Sequence, residues 1–368
     1  MARPQIVGTT FISAPRKELI LEDGFRFTHG QTIAPFTIVY ETFGELNADK
    51  SNAILVCHAL SASAHVAGKY TDAEDERPGW WDGLVGYDKA IDLDRYFVVC
   101  VNIPGSPYGT TAPRSIDTQT GKPYGSRYPW PTIEDMIATQ KIVLDHLGIT
   151  RLRAIAGGSL GGMQVLMWCA MYPEMADSII AMATGAAVPV QGIAWHIIGR
   201  KIIEADARFQ GGDYYGHAPD SLRGLQVARM VGHMTYLSVE SLQRKFGRRR
   251  RGGTRQFEID SYFEYQGKKF AAQYDANSYI RVQAAMDEMD LAEQYGSLES
   301  SFANWRGRTL LVSFDTDWLF PPHEADAVAA AMPAEVHHER VSSPNGHDTF
   351  LIDYDLISDV VRKFLASA

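Results

Sequence analysis

The stretch IAGGSLGGMQ, residues 155–164, places four glycines around Ser159 and decides the fold. It fits the pattern G-x-S-x-G, in which glycines stand two residues before and two residues after the serine. An apolar run at 152–156 precedes it and an apolar segment at 163–172 follows, which predicts a strand, a sharp turn and a helix. The small residues let the strand and the helix approach each other closely. A purely structural turn could show the same letters, so the serine needs identifiable partners.

A serine hydroxyl is a weak nucleophile, and acyl transfer through Ser159 requires a base and an acid behind that base. In folds with this turn the chain order is serine, then aspartate or glutamate, then histidine. His347 lies in the loop segment SPNGHDTFL, and Asp315 and Asp317 follow the buried strand RTLLVSF. We predict that Asp317, which stands further into its loop, orients His347, and Asp315 stays open as the alternative. The structural alternatives are helix caps and loop contacts.

The sequence around this motif alternates between strand and helix signals. Continuous apolar strands are predicted at 53–57, 96–102 and 178–184, and an amphipathic helix with a capping start is predicted at 132–149. Such alternation is typical of an α/β protein with a doubly wound, mostly parallel sheet. The sequence therefore predicts an α/β architecture with Ser159 at the end of a central strand.

The alternation stops after about residue 188 and resumes with the strand RTLLVSF. The intervening sequence is long, helical and rich in aromatic residues. We predict an inserted helical lid at 188–298, above a catalytic core formed by residues 1–187 and 299–368. Aromatic residues in such a lid more often pack a core than bind a ligand.

The composition excludes several classes of function. The chain has 368 residues, 45% of them hydrophobic, and a net charge of −9, which argues against a nucleic-acid partner. The dense basic stretch RKFGRRRRGG, residues 244–253, is expected to be a solvated loop, although a role for it stays open. No Cys/His cluster and no phosphate-binding glycine loop appears, so we predict no metal and no bound cofactor.

The sequence also indicates a compartment. Cys57, Cys100 and Cys169 all fall inside apolar patterns, where free cysteine behaves as a small hydrophobic residue, so no disulfide framework is expected. The first residues, MARPQIVGTTFIS, lack the apolar region of a secretory signal, and no apolar stretch is long enough to cross a bilayer. We therefore expect a cytoplasmic protein that does not bind membranes.

Several segments together resemble the homoserine O-acetyltransferase family of α/β-hydrolase-type enzymes, over nearly the whole chain. The resemblance is far more specific than the serine motif alone. The segments that carry it are CHALSASAH (57–65), PGWWDGLVGYDKAID (78–92), GGSLGGMQ, ARMVGHMTY (228–236), FEIDSYFEYQGKKF followed by DANSY (257–279), DTDWLFPP and GHDTFL.

The resemblance implies roles for individual residues. Ser159 would be the nucleophile, His347 the general base and acid, and Asp317 the residue that orients it. The oxyanion hole would come from the N–H groups of Leu60 and Leu160. The substrate-binding residues it implies are Arg229 for a carboxylate, Tyr236 beside it, and Asp348 for an ammonium group. From sequence alone, Arg229 could equally lie on the lid surface and Asp348 could cap a helix.

The reaction that the resemblance implies is transfer of an acetyl group from acetyl-CoA to the hydroxyl of L-homoserine through a Ser159 acyl-enzyme, for methionine synthesis. L-serine as acceptor, succinyl-CoA as donor, and a plain serine esterase remain alternatives. The chain departs from the family pattern at Gln273, at 61–63 and at 104–113, which leaves the choice of acyl group and acceptor open. The resemblance also implies a homodimer joined through the lids.

Overall fold

The structure is a computed structural model that describes residues 16–71, 77–216, 222–333 and 335–367. Its centre is an eight-stranded sheet. The strands of this sheet are β1 (Lys17–Leu21), β2 (Phe36–Phe43), β3 (Ala53–Cys57), β4 (Phe97–Val101), β5 (Ala154–Gly158), β6 (Ser178–Met182), β7 (Arg308–Phe314) and β8 (Val336–Val341). Two-residue strands pair outside it, Phe25–Arg26 with Thr32–Ile33, Val85–Gly86 with Ile91–Asp92, and Ile116–Asp117 with Lys122–Pro123.

The strand order is β1-β2-β4-β3-β5-β6-β7-β8. The β1–β2 and β2–β4 pairs are antiparallel, and all other neighbours are parallel. Strands β3 to β6 are buried at every position, as expected for parallel strands covered on both faces. The prediction of a doubly wound, mostly parallel sheet is confirmed. The strand predicted at 152–156 lies two residues later, because residue 152 forms only an isolated bridge to Ala176.

Helices cover both faces of the sheet. The helices are α1 (Ile133–His146), α2 (Leu160–Met171), α3 (Val190–Glu204), α4 (Arg223–Tyr236), α5 (Val239–Lys245), α6 (Glu258–Ala271), α7 (Ala276–Glu288), α8 (Leu291–Tyr295), α9 (Leu298–Phe302), α10 (Pro322–Ala331), α11 (Thr349–Ile352) and α12 (Tyr354–Ala366). Short 3-10 turns lie at Gly125–Arg127, Gln210–Gly212 and Gly346–Asp348. Helices α1, α2 and α10 share one core cluster, and α12 packs with the segment 64–93 on the opposite face.

Local sequence explains where the helix before the serine motif begins and ends. Thr132 accepts a hydrogen bond from the N–H of Asp135, and the Asp135 carboxylate accepts one from the N–H of Thr132. This reciprocal capping satisfies two amides that the first turn leaves without partners. Gly148 follows with φ +66°, a conformation that glycine adopts without strain. The predicted capped helix is therefore present over Ile133–His146.

Helices α3 to α9 lie between β6 and β7, where the sequence analysis placed the lid. Helix α4 packs against both α3 and α6. The junction of α4 and α5 meets the C-terminal core, because the Ser238 hydroxyl donates a hydrogen bond to the Pro344 carbonyl. The exact lid limits, 188 and 298, stay a prediction.

The described residues contain no helix long and apolar enough to span a bilayer, and no group of three potential metal ligands. The three cysteines are buried and unpaired. Residues 1–15, on which the expected lack of a secretory signal depends, lie outside the described part of the chain.

Candidate active site

The serine motif forms a sharp turn between β5 and α2. Ser159 has φ 58° and ψ −126°, a backbone conformation that residues other than glycine rarely adopt. Its N–H donates to the carbonyl of Met182 at 3.0 Å. A Cβ at Gly157 would stand 2.5 Å from the carbonyl oxygen of Gly161, so no side chain fits at Gly157. Such a strained residue is typical of a functional turn that the surrounding structure holds in place.

The structure brings Ser159, His347 and Asp317 into one hydrogen-bonded chain. The Ser159 Oγ lies 2.9 Å from the His347 Nε2, and the His347 Nδ1 lies 2.8 Å from an Asp317 carboxylate oxygen. The three side chains belong to the turn after β5, the loop after β8 and the loop after β7. With Nδ1–H donating to the carboxylate, Nε2 is the nitrogen that can accept the serine proton.

The structure also separates the two candidate aspartates. The second carboxylate oxygen of Asp317 accepts from the N–H groups of Leu319 and Phe320 at 2.9 and 3.0 Å, so this buried carboxylate is fully satisfied. Asp315 instead accepts from the side chain of Ser342 and the N–H of Ser343. The carboxylate bonded to the histidine is therefore that of Asp317.

The environment of His347 keeps it basic. Burial by itself lowers the pKa of this imidazole, but the charge and hydrogen bond of Asp317 and the charge of Asp348 outweigh it, so the pKa of His347 is raised above its usual 6.5. No cation in the described chain contributes to this shift. The histidine is thus suited to take a proton from Ser159 and hold it.

The two backbone amides expected to form an oxyanion hole, those of Leu60 and Leu160, have no acceptor in the described chain. The N–H of Leu160 is the first of α2 and has no acceptor within the helix. Leu60 lies in the loop after β3. The end of β3 approaches α2 closely, since a Cβ at Gly161 would stand 2.1 Å from the carbonyl oxygen of Cys57. Neither leucine amide donates to a residue that the structure describes. Both are available to a negatively charged oxygen.

Arg229 lies on α4 and is not on the outer surface of the lid. Its guanidinium carbon lies 4.4 Å from the Phe270 ring centroid and 5.2 Å from the Tyr236 ring centroid. One guanidinium nitrogen, Nη1, is buried and has no hydrogen-bond partner among the described residues. An unsatisfied buried charged donor is costly, so its presence indicates a site for an anionic ligand group.

Tyr236 and Asp348 both interact with Arg229 and with His347. Burial raises the pKa of Asp348 to about 6, against the opposing charges of His347 and Arg229. The Asp348 side chain caps no helix. Burial also raises the pKa of Tyr236, which Arg229 lowers and Asp348 raises, and the Tyr236 ring centroid is 6.1 Å from that of His347. We call Arg229, Tyr236 and Asp348 the acceptor cluster.

The sequence analysis missed a second group of buried polar residues beside the serine. Gln164 donates to the carbonyls of His58 and Leu160, and it accepts from the side chain of Gln140 at 2.6 Å. Trp168 in turn donates to Gln140 at 2.7 Å. The available signal was polar residues inside otherwise apolar segments, at GGSLGGMQ and at CHAL.

The basic stretch 244–253 runs from the end of α5 into the turn before α6. Arg249 pairs with Glu258 at 2.8 Å, and Arg250 stacks over the Phe257 ring. Arg244 donates to the side chain of Asn345, two residues before the catalytic histidine. Most of the stretch is exposed, in agreement with the expected solvated loop.

Comparison with known proteins first defines the class. The α/β hydrolase fold family matches residues 52–354, and the chain belongs to this family. Two solved structures have the same fold, each with a TM-score of 0.86 and each covering 96% of this chain. They are homoserine O-acetyltransferase from Bacillus anthracis, 30% identical with 98% of that chain covered, and esterase E22, 27% identical with 100% covered.

Sequence relatives narrow the class. Homoserine O-acetyltransferase of Deferribacter desulfuricans is 43% identical over 360 residues, which are 95% of this chain and 95% of that protein. Homoserine O-succinyltransferase of Burkholderia multivorans is 44% identical over 354 residues, which are 92% of this chain and 93% of that protein. Within the α/β hydrolases, the chain is a member of the homoserine O-acyltransferase family. The predicted family is confirmed.

Proposed function

We propose that this enzyme transfers an acetyl group from acetyl-CoA to the side-chain hydroxyl of L-homoserine, giving O-acetyl-L-homoserine for methionine synthesis. The observation that carries the proposal is the unpartnered buried guanidinium nitrogen of Arg229, whose charge acts on the Asp348 carboxylate and whose guanidinium lies against the Tyr236 ring. An amino-acid acceptor has one charge of each sign, and an ester substrate needs neither. The acceptor cluster therefore favours an amino-acid acyltransferase over a plain esterase.

The proposed reaction has two steps through Ser159. His347 takes the serine proton as Oγ attacks the thioester carbonyl, and the oxyanion is held by the N–H groups of Leu60 and Leu160. The C–S bond breaks, and the coenzyme A thiolate leaves with the proton from the imidazole. The homoserine hydroxyl then gives its proton to His347 and attacks the acyl-enzyme. The Ser159 ester bond breaks, and the serine recovers its proton.

The acceptor cluster is proposed to orient this second nucleophile. Arg229 would bind the homoserine carboxylate, Asp348 would bind the ammonium group, and Tyr236 would lie between them. The side-chain hydroxyl would then point toward Ser159. One methylene separates homoserine from serine, and such a difference is worth only about 1–3 kcal/mol in binding. Serine is therefore the acceptor to test beside homoserine.

The acyl donor is proposed to be acetyl-CoA, bound as a co-substrate without a resident cofactor. A succinyl group would bring a second carboxylate beside the serine, where it would need a cation of its own. In this proposal the buried cation Arg229 is assigned to the homoserine carboxylate. Succinyl-CoA remains the second candidate, because a relative named homoserine O-succinyltransferase is 44% identical to this chain and the relative named homoserine O-acetyltransferase is 43% identical.

Thiol release from acyl-CoA tests these assignments directly. Purified enzyme is given acetyl-CoA or succinyl-CoA, with no acceptor, with L-homoserine or with L-serine, and Ser159→Ala is compared with Ser300→Ala, an exposed serine on α9. We expect strong stimulation by homoserine with acetyl-CoA, and loss of it only in Ser159→Ala. Equal release with and without an acceptor would instead identify a hydrolase.

A homodimer joined through the lids is also proposed. Helix α3 exposes Val190, Ile197 and Ile198, and α5 exposes Val239, with exposed fractions of 81, 44, 44 and 84%. Large exposed apolar side chains on two lid helices favour protein contact. Sedimentation should find a dimer that Val239→Asp weakens, and a 40.8 kDa species alone at micromolar concentration would contradict the proposal.

The cytoplasm is the proposed compartment. Three buried cysteines remain thiols, which suits a reducing environment. Fractionation of cells that express the protein tests this assignment, and activity confined to a membrane or secreted fraction would contradict it.

A further inference from the structure

The loop after β3 is fixed by hydrogen bonds to four consecutive carbonyl oxygens. The donors come from the core, from the loop itself and from the lid. The His58 carbonyl accepts from the Gln164 side chain at 3.1 Å, and the Ala59 carbonyl accepts from the His58 Nδ1 at 2.9 Å and from the Ala62 N–H at 3.0 Å. The Leu60 carbonyl accepts from the Tyr274 hydroxyl at 2.8 Å, and the Ser61 carbonyl accepts from the Tyr108 hydroxyl at 3.2 Å.

Two of these hydrogen bonds act on the peptide unit that carries the proposed oxyanion donor. The carbonyl of Ala59 and the N–H of Leu60 belong to the same planar trans peptide, so they point in opposite directions. The imidazole of His58 and the N–H of Ala62 hold the Ala59 oxygen on one side. Holding that oxygen fixes the direction in which the N–H of Leu60 points.

The tautomer of His58 is determined by a second contact. The N–H of Ile103, just after β4, donates to the His58 Nε2 at 3.2 Å, so Nε2 carries no proton. The ring therefore carries its proton on Nδ1, where it donates to Ala59. The side chain is completely buried, and burial lowers the pKa of His58 to about 4, which keeps the ring neutral.

We propose that His58 is a positioning residue for the oxyanion hole, which orients the N–H of Leu60 through the carbonyl of Ala59. This inference rests on the proposed function, because it assumes that an oxyanion forms at Ser159. His58 does not touch the substrate. Its effect is on the rate of acyl-enzyme formation at a fixed number of active sites, since a misdirected donor stabilises the transition state less.

Two amide substitutions distinguish the roles of the two ring nitrogens, because each reproduces only one of them. His58→Asn places an amide N–H near the position of Nδ1 and keeps the donor to Ala59. His58→Gln places its amide near the position of Nε2, where it can accept from Ile103 but leaves Ala59 with one donor. We expect the acylation rate constant to fall about 10- to 100-fold in His58→Gln, which is less than the loss expected when an oxyanion-hole donor is removed altogether. In His58→Asn we expect it to fall about threefold or less.

Stopped-flow acylation by p-nitrophenyl acetate is the measurement. Its burst amplitude counts the sites that react, and its rate constant reports the transition state in those sites, so partial misfolding leaves the comparison intact. Tyr274→Phe is the matched control, because it removes a donor to the Leu60 carbonyl, which belongs to the next peptide unit. We expect its rate constant to fall less than that of His58→Gln.

The outcomes distinguish the inference from the function on which it rests. A His58→Gln rate constant equal to the parent value, with only the amplitude or the unfolding temperature lowered, would show a purely structural histidine and overturn the inference alone. Equal losses in His58→Gln and His58→Asn would also overturn it. A parent enzyme without a burst, or a burst that survives Ser159→Ala, would overturn the proposed acyl-enzyme itself.

Discussion

The triad and the acceptor cluster meet at His347, but their polar groups are satisfied differently. Every polar atom of Asp317 and the imidazole of His347 has a protein partner, at distances of 2.8–3.0 Å. In the acceptor cluster, the Arg229 Nη1 is buried without a partner in the described chain, and Asp348 has a raised pKa. The difference suggests that the catalytic geometry is built before substrate binds, whereas the recognition groups are left for the substrate to complete.

The largest effect is expected when the charge of Asp317, which bonds to His347, is removed. Asp317→Asn should lower kcat for acyl transfer by about 10⁴-fold, because an amide no longer holds the imidazole in the productive tautomer. Asp315→Asn is the matched control, since the Asp315 carboxylate bonds to Ser342 and Ser343 in the described chain and not to His347, and it should stay near the parent rate. An equal fall of kcat in the two variants would mean that the rate depends on the structure of the loop after β7 and not on the pairing of Asp317 with His347.

Removal of the unsatisfied cation should affect recognition more than chemistry. Arg229→Met should lower kcat/KM for homoserine by about 10²-fold, the value of a charge-assisted pair of hydrogen bonds. Arg229→Lys should recover only part of that loss, because an ammonium group cannot bind a carboxylate in the same bidentate way.

The control for this prediction is Arg223→Gln on the same helix, where the arginine pairs with Glu264 on the lid. Steady-state kinetics at varied homoserine concentration should show parent-like behaviour in Arg223→Gln. A variant of Arg229 that used homoserine as well as the parent would remove it from the acceptor cluster.

The pH dependence tests the link between the two regions. Acylation requires neutral His347, so kcat/KM for acetyl-CoA should fall tenfold per pH unit below an apparent pKa that lies above 6.5. Asp348 contributes to raising that pKa, and Asp348→Asn should therefore move the acidic limb to lower pH. A limb centred below 6.5 in the parent enzyme would contradict the raised pKa of His347.

The smallest expected effect is on stability. The pKa of Asp348 is raised from 3.8 to about 6 in the folded protein, so the folded state holds a proton that the unfolded state releases. This contribution to stability is complete below pH 3.8 and is lost as the pH rises through about 6. Asp348→Asn should therefore be more stable than the parent at pH 8, by about 1–2 kcal/mol after allowance for partial solvent exposure.

Thermal unfolding at several pH values measures this effect. The difference between Asp348→Asn and the parent should shrink as the pH approaches 4.5, where both chains hold a neutral group in the folded state. A variant that is less stable at pH 8 would show that Asp348 has a structural partner in the folded protein.

Much of this architecture could be predicted from sequence, because its signals are local. Buried parallel strands appear as apolar runs, the capping box at Thr132 appears as a residue spacing, and the turn at Ser159 requires glycines at fixed positions. The order of Ser159, Asp317 and His347 along the chain follows from the same fold. Boundaries were less accurate, since the β5 strand begins two residues later than its apolar run.

Three features depended on the tertiary structure, because each is decided by contacts between distant segments. The choice between Asp315 and Asp317 follows from where the loop after β7 meets the loop after β8. The burial of Arg229 follows from the packing of α4 on α6.

The contact of His58 with Ala59 is local in sequence, but its tautomer is set by Ile103, 45 residues away. The sequence by itself therefore determined the fold, the sharp turn that holds Ser159 and the family. The tertiary structure decided which carboxylate orients the histidine, which cation is left unsatisfied and how the oxyanion loop is held, because hydrogen bonds depend on positions that only the folded chain brings together.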